Sequence, residues 1–171
     1  MIKLSATLFA TLLVSACATP PNAPTANAVL APTTGNTVNG TVSFTKQGSG
    51  VLVAGEVRGL APNTEHGFHI HEKGDCSSGD GMSTGGHFNP TAQAHGAYEQ
   101  SAHNAGDLAS LKADANGVAR FSYKSATLTV GEGATDVTGH GLIVHRDADD
   151  FTTQPTGNSG ARVACAVIAK G

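Results

Sequence analysis

Apolar and polar residues alternate along much of this chain, and the first clear run is Thr37 to Phe44. Val38, Gly40, Val42 and Phe44 fall on one face, and Thr37, Asn39, Thr41 and Ser43 on the other. That is the period-two signature of a half-buried strand. Val51, Val53 and Val57 against Leu52, Glu56 and Arg58 predict a second strand, with Gly48-Ser49-Gly50 as the turn between them. The same reading predicts strands at His66–His71, Leu108–Ala113, Val118–Tyr123, Gly141–His145 and Arg162–Ala169, with Asp114-Ala115-Asn116-Gly117 as a hairpin turn. Two stretches, Glu72 to Gly106 and Arg146 to Ala161, carry no strand pattern. Connections that long inside a compact domain are usually functional or disordered. Each begins directly after a strand that ends in histidine, which favours function.

Composition supports an all-β domain. The 171 residues include 22 Gly and 7 Pro, no Trp, and few runs of helix formers. Only 13% of residues are charged and the formal net charge is -3, which argues against nucleic acid as a partner. The N-terminus reads as an export signal: Lys3 supplies the positive charge, and Leu4 to Val14 is apolar but too short to span a bilayer. It ends in Val14-Ser15-Ala16-Cys17, which resembles the lipobox of bacterial lipoproteins, where the Cys is acylated and becomes the first mature residue. Membrane contact would then run only through the lipid on Cys17, and the location would be the bacterial periplasm or cell envelope. Ala18 to about Gly35 is Ala, Pro, Thr and Asn without charge or periodicity, and reads as a flexible linker. The expected division is signal peptide 1–16, lipid-anchored linker 17–35 and folded domain 36–171. With Cys17 lipidated, Cys76 and Cys165 remain, either as a bridge or as two unrelated thiols; an oxidising compartment favours the bridge.

Histidine is the unusual quantity. There are eight, six of them between His66 and His103. His69 and His71 flank Ile70, so on a strand both imidazoles share one face while Phe68 and Ile70 point into the core. The pair is followed by Gly86-His87-Phe88-Asn89-Pro90, Ala94-His95-Gly96, His103-Asn104-Ala105-Gly106-Asp107, Val144-His145-Arg146-Asp147-Ala148-Asp149 and Gly157-Asn158-Ser159-Gly160-Ala161-Arg162-Val163-Ala164-Cys165. In this order, over about residues 36–171, the chain resembles the copper/zinc superoxide dismutases. The resemblance implies an eight-stranded antiparallel Greek-key β-barrel, akin to an immunoglobulin-like sandwich, with two long functional loops. It implies copper on His69, His71, His87 and His145, with His87 bridging to a zinc held also by His95 and Asp107. Asp149 would hydrogen-bond one histidine of each metal, Cys76 and Cys165 would form the family's disulfide, and Arg162 would guide superoxide. Catalysis would then rest on Arg162 and on His87, which gives up copper and takes a proton in the reduced state. His66 matches a structural histidine, and His140 matches nothing. A homodimer is compatible with the resemblance.

The metal chemistry is sensible for these residue types. Imidazole suits copper(II) and zinc, and a carboxylate in place of thiolate suits zinc. Two departures stand out. Counting three back from Asp107 lands on Asn104, with His103 one place early. Either the loop shifts and His103 becomes the zinc ligand, the reading preferred here, or Asn104 stands at the metal and zinc is weak or absent. The second long loop also lacks the family's charged pattern at Thr152-Thr153-Gln154-Pro155, leaving steering to Arg162 with help from Lys73 or Lys124. Two alternatives stay open beside the enzyme: a copper-only dismutase, and a non-catalytic periplasmic copper-binding protein on the same barrel.

Overall fold

In the computed structural model, which describes residues 23–171, the alternating segments become ten strand segments. They are β1 (Thr25–Pro32), β2 (Asn39–Gln47), β3 (Gly50–Arg58), β4 (Glu65–His66), β5 (Phe68–His71), β6 (Leu111–Lys112), β7 (Val118–Ser125), β8 (Gly141–His145), β9 (Arg162–Val167) and β10 (Ala169–Lys170). A single 3-10 turn, Met82–Thr84, interrupts the first long loop. The expected signal segment and Cys17 lie outside the described residues.

The strands pair in the order β5-β8-β9-β1-β2-β3-β7, with β10 also on β1, and β4 pairs with β6. β4 runs past Gly67 into β5, and β6 turns through Asp114–Gly117 into β7, so the two ends of the main sheet are joined. Counting β4 with β5 and β9 with β10 as interrupted strands leaves the eight of the expected barrel. Neighbours such as β3 with β7 and β1 with β9 are distant in sequence, which is the Greek-key pattern. β2 and β3 pair from Asn39–Arg58 to Gln47–Gly50 across a two-residue turn. Gly48 there has φ +61, a conformation that favours glycine. The predicted hairpin turn is also present: Asp114 Oδ1 accepts hydrogen bonds from the amides of Asn116 and Val118.

One expectation is overturned. Residues 25–32 are not a linker but strand β1, paired with β2 from Thr25–Thr45 to Leu30–Gly40 and with β9 at Ala31–Cys165. Ala26, Ala28 and Leu30 are buried on one face while Val29 is 73% exposed on the other. Two alanines inside and a valine outside invert the usual contrast, so the alternation does not register as hydrophobic patterning. The domain therefore begins near Thr25.

The core holds Phe44, Val53, Phe68, Ile70, Leu111, Leu142 and Val144, all fully or almost fully buried. Phe68 and Ile70 fill it from β5, which leaves His69 and His71 on the opposite face, as period two requires. A third connection, 126–140, packs Leu128, Val130 and Val137 into the same core. Among the described residues, no helix is long and apolar enough to cross a membrane.

Candidate metal centre

β5 has β8 on one edge. The other edge is paired by the first long loop itself: Ile70 N–H donates to Gly106 O, Phe88 N–H to Ile70 O, and Glu72 N–H to Gly86 O. This backbone pairing sets His87 opposite His71 and Asp107 opposite His69. β8 ends in His145, and the two long loops fold over the same face. The result is two overlapping groups: His69, His71, His87 and His145, and His69, His87, His95 and Asp107. In each, one ligand atom per residue lies within 4.8 Å of the others.

An account of ring nitrogens shows what the first group is built for. His71 Nδ1–H donates to Gly85 O at 3.0 Å, and His145 Nδ1–H donates to Gly160 O at 3.2 Å. His69 Nε2–H donates to Asp149 Oδ2 at 2.6 Å. The remaining nitrogens point inward. His69 Nδ1 and His87 Nε2 are buried without any partner, and the Nε2 atoms of His71 and His145 face each other at 3.4 Å. Burial lowers His69 to about 4 and His145 to about 3, and pushes His71 well below its ordinary value. The rings are therefore neutral at pH 7, and their inner nitrogens carry lone pairs. Lone pairs gathered within 4.8 Å of one another in a buried site are costly until a cation meets them, so the four imidazoles fit copper.

The second group fits zinc with three donors. His87 Nδ1 and His95 Nδ1 stand 3.1 and 2.8 Å from Asp107 Oδ1. That spacing approaches the ~3.3 Å edge of a tetrahedron around zinc ~2.0 Å from each donor. Asp107 Oδ2 is occupied by the amides of Gly96 and Asn104, which leaves Oδ1 for a metal. Burial alone would lower His95, but Asp107 and Asp149 outweigh it and raise it to about 9. Asp107 is held at about 2: burial opposes this, and hydrogen bonds from His87 and His95 prevail.

Asp149 connects the two groups, accepting from His69 Nε2 and, at 2.8 Å, from His95 Nε2. Arg162 is clamped into the first loop, donating to Gly81 O, Thr84 Oγ1 and Gly85 O at 2.7 Å each. Gly85 O thus serves both Arg162 and His71. Cys76 and Cys165 form the expected disulfide, tying that loop to β9. His66 donates from Nδ1 to His145 O and supports the backbone of β8. Lys73 runs beside Gly85. Lys124 does not join the site; its ammonium lies by the β2–β3 turn at Gly48.

His103 is a correction. The structure leaves it out of the metal groups: its Nδ1–H donates to Asn104 O at 2.7 Å, and its ring lies against Tyr98. The one-residue offset is not absorbed, because residues 104–107 form a turn closed by Asp107 N–H to Asn104 O. That turn holds Asn104, not His103, at the ligand carboxylate.

Sequence reasoning missed two residues. Gln154 grips the backbone of His95, accepting from its N–H and donating to its O, each at 2.9 Å. His140 donates from Nδ1 to Glu72 O and stacks on Phe88 at 3.8 Å, tying together the segments that carry His71 and His87. Neither contact leaves a local pattern, since each joins residues more than 50 positions apart.

A model of the copper/zinc superoxide dismutase family matches residues 38–168. A Cu-Zn superoxide dismutase of Paramecium bursaria Chlorella virus 1 is 39% identical over 137 residues, covering 77% of this chain and 72% of the viral protein. The crystal structure of the clock protein EA4 superposes with a TM-score of 0.77 at 36% identity, covering 89% of this chain and 98% of that one.

Proposed function

Since the chain belongs to the copper/zinc superoxide dismutase family, we propose that His69, His71, His87 and His145 hold its copper, and that His87, His95 and Asp107 hold its zinc. The chain is an enzyme that dismutes superoxide to molecular oxygen and hydrogen peroxide, with copper and zinc as cofactors. The observation that carries the residue assignment is the nitrogen account: the four inward nitrogens have only one another, while each outward one has a hydrogen-bond partner or faces Asp107.

Copper, when bound, supplies the one-electron couple that both half-reactions need. The residues supply placement, charge and protons. Outer partners fix ring tautomers: Gly85 O and Gly160 O for His71 and His145, and Asp149 for His69 and His95. Arg162, fixed by three acceptors, presents positive charge to the superoxide anion. His87 Nε2, left without a protein partner, would hold a proton only while that nitrogen is not on copper, and would give it up when it returns to the metal. The test is His145→Ala with copper measured per chain. Activity and copper should fall together while circular dichroism keeps the β signature; full copper with near-wild-type turnover would overturn the assignment.

The same reading extends to the envelope of a bacterium, with a lipid on Cys17. Lys3, the apolar segment and Val14-Ser15-Ala16-Cys17 support it, and a disulfide suits an oxidising compartment. Because β1 starts at Thr25, residues 17–24 would be the spacer, reaching at most ~29 Å when extended. One acyl chain binds membranes marginally and two hold stably. Mass spectrometry of the mature N-terminus should find diacylglyceryl on Cys17; an unmodified chain beginning at Ala18 or later would refute the anchor.

A further inference from the structure

The zinc side of the centre has three strong donors and lacks the fourth that a tetrahedral ion takes. His103 does not supply it, because its Nδ1–H is bonded to Asn104 O and its ring is packed on Tyr98. Asn104 occupies the neighbouring position. It is 2% exposed, its amide donates to Asp107 Oδ2 at 3.1 Å, and its carbonyl accepts from the Asp107 amide at 3.1 Å. Both backbone groups are therefore satisfied against the ligand residue itself. The side-chain Oδ1 of Asn104 is buried and has no hydrogen-bond partner. A buried carbonyl oxygen left unpaired is destabilising and calls for an unmet partner.

We propose that Asn104 Oδ1 is the fourth zinc donor, standing where the rest of the family pattern leads one to expect an imidazole. The proposal rests on the reading of His87, His95 and Asp107 as zinc ligands. The site is then two nitrogens and two oxygens, one of the oxygens neutral. A carboxamide oxygen is a harder and weaker donor to zinc than imidazole, so zinc is held less firmly than a third histidine would hold it. Geometry is maintained from outside instead. Asp149 and the Gln154 pincer fix His95, and the Gly96 and Asn104 amides fix Asp107. The zinc cavity therefore keeps its shape when the ion leaves, and zinc exchanges without dismantling the copper group.

Zinc affinity of the copper-loaded mature protein, measured by chelator competition with elemental analysis, decides the matter. Asn104→Leu should weaken zinc by at least about tenfold and Asn104→His should tighten it by at least about tenfold, the donor preference behind both being that of imidazole over carboxamide over none. His103→Ala should leave affinity unchanged, and copper should stay constant in all three. Cobalt(II) at the zinc position gives a second readout, since its visible absorption should differ between wild type and Asn104→His. Wild-type affinity in Asn104→Leu, or loss of zinc in His103→Ala, overturns the proposal, as does a cobalt spectrum unchanged by Asn104→His. Failure of the underlying reading looks different: His95→Ala would then match wild type in zinc uptake.

Discussion

Gly157 marks the tightest tolerance in the centre. It has φ +67, and a Cβ placed on it would come within 1.8 Å of Asp149 Oδ1 and 2.4 Å of His95 Nε2. Those are the two atoms of the hydrogen bond that couples the loops. Gly157→Ala should therefore break that bond as well as strain the backbone. The expected loss is ~1–3 kcal/mol from crowding and conformation, with reduced zinc content, read by urea unfolding and elemental analysis. Unchanged stability and zinc would refute the contact. At this scale the sequence was informative where side-chain direction follows from a repeat. His69 and His71 point together because a strand alternates, and His145 ends a strand whose Leu142 and Val144 are core. His103 was misread because a loop residue's direction depends on backbone torsions, here those of the turn that Asn104 and Asp107 close.

Among elements, β1 was missed for a chemical reason: its inward residues are mostly alanine, and its largest outward one is valine. Its contribution is nonetheless structural, since it pairs with β2, β9 and β10. Leu30→Ala should lower unfolding free energy by ~2–5 kcal/mol, the usual cost of truncating a buried leucine. Denaturant titration of the purified protein tests this, and a flexible linker at this position would show no change. The strands flanking the histidines were legible, as were both long loops, because period two stops abruptly at Glu72 and at Arg146. The Cys76–Cys165 bridge joins the first of these loops to β9 across 89 residues. Arg162 begins that strand and donates to Gly81 and Thr84 of the same loop. Cys76→Ser should cost ~2–5 kcal/mol and also lower kcat/KM with copper retained, as the perch of Arg162 loosens. Full activity in the unbridged variant would detach Arg162 from the loop.

Over the whole molecule, an anionic substrate meets a chain of formal net charge -3, so attraction must be local. The cleavage proposed before Cys17 would take away Lys3 and no acid, and would make the chain about one charge more negative. Arg146 is paired with Asp147, Arg120 with Glu56 and Asp114, and Lys46 with Glu132. Arg162 has no carboxylate within salt-bridge distance among the described residues; its hydrogen-bond acceptors are two carbonyls and a hydroxyl. Asp80 acts on it through space without an ion pair, so its charge is not neutralised by direct contact beside His71, with which it shares Gly85 O. A field of this kind acts at long range and is screened over ~8 Å at physiological salt. Arg162→Glu should lower kcat/KM for superoxide and weaken or invert its fall with ionic strength. Arg162→Lys should retain part of the salt dependence while losing the three-point clamp. Copper per chain should remain at the wild-type value in both, because no ligand is touched. Pulse radiolysis across a salt series gives the rates, and a wild-type rate for Arg162→Glu at low salt would remove Arg162 from steering.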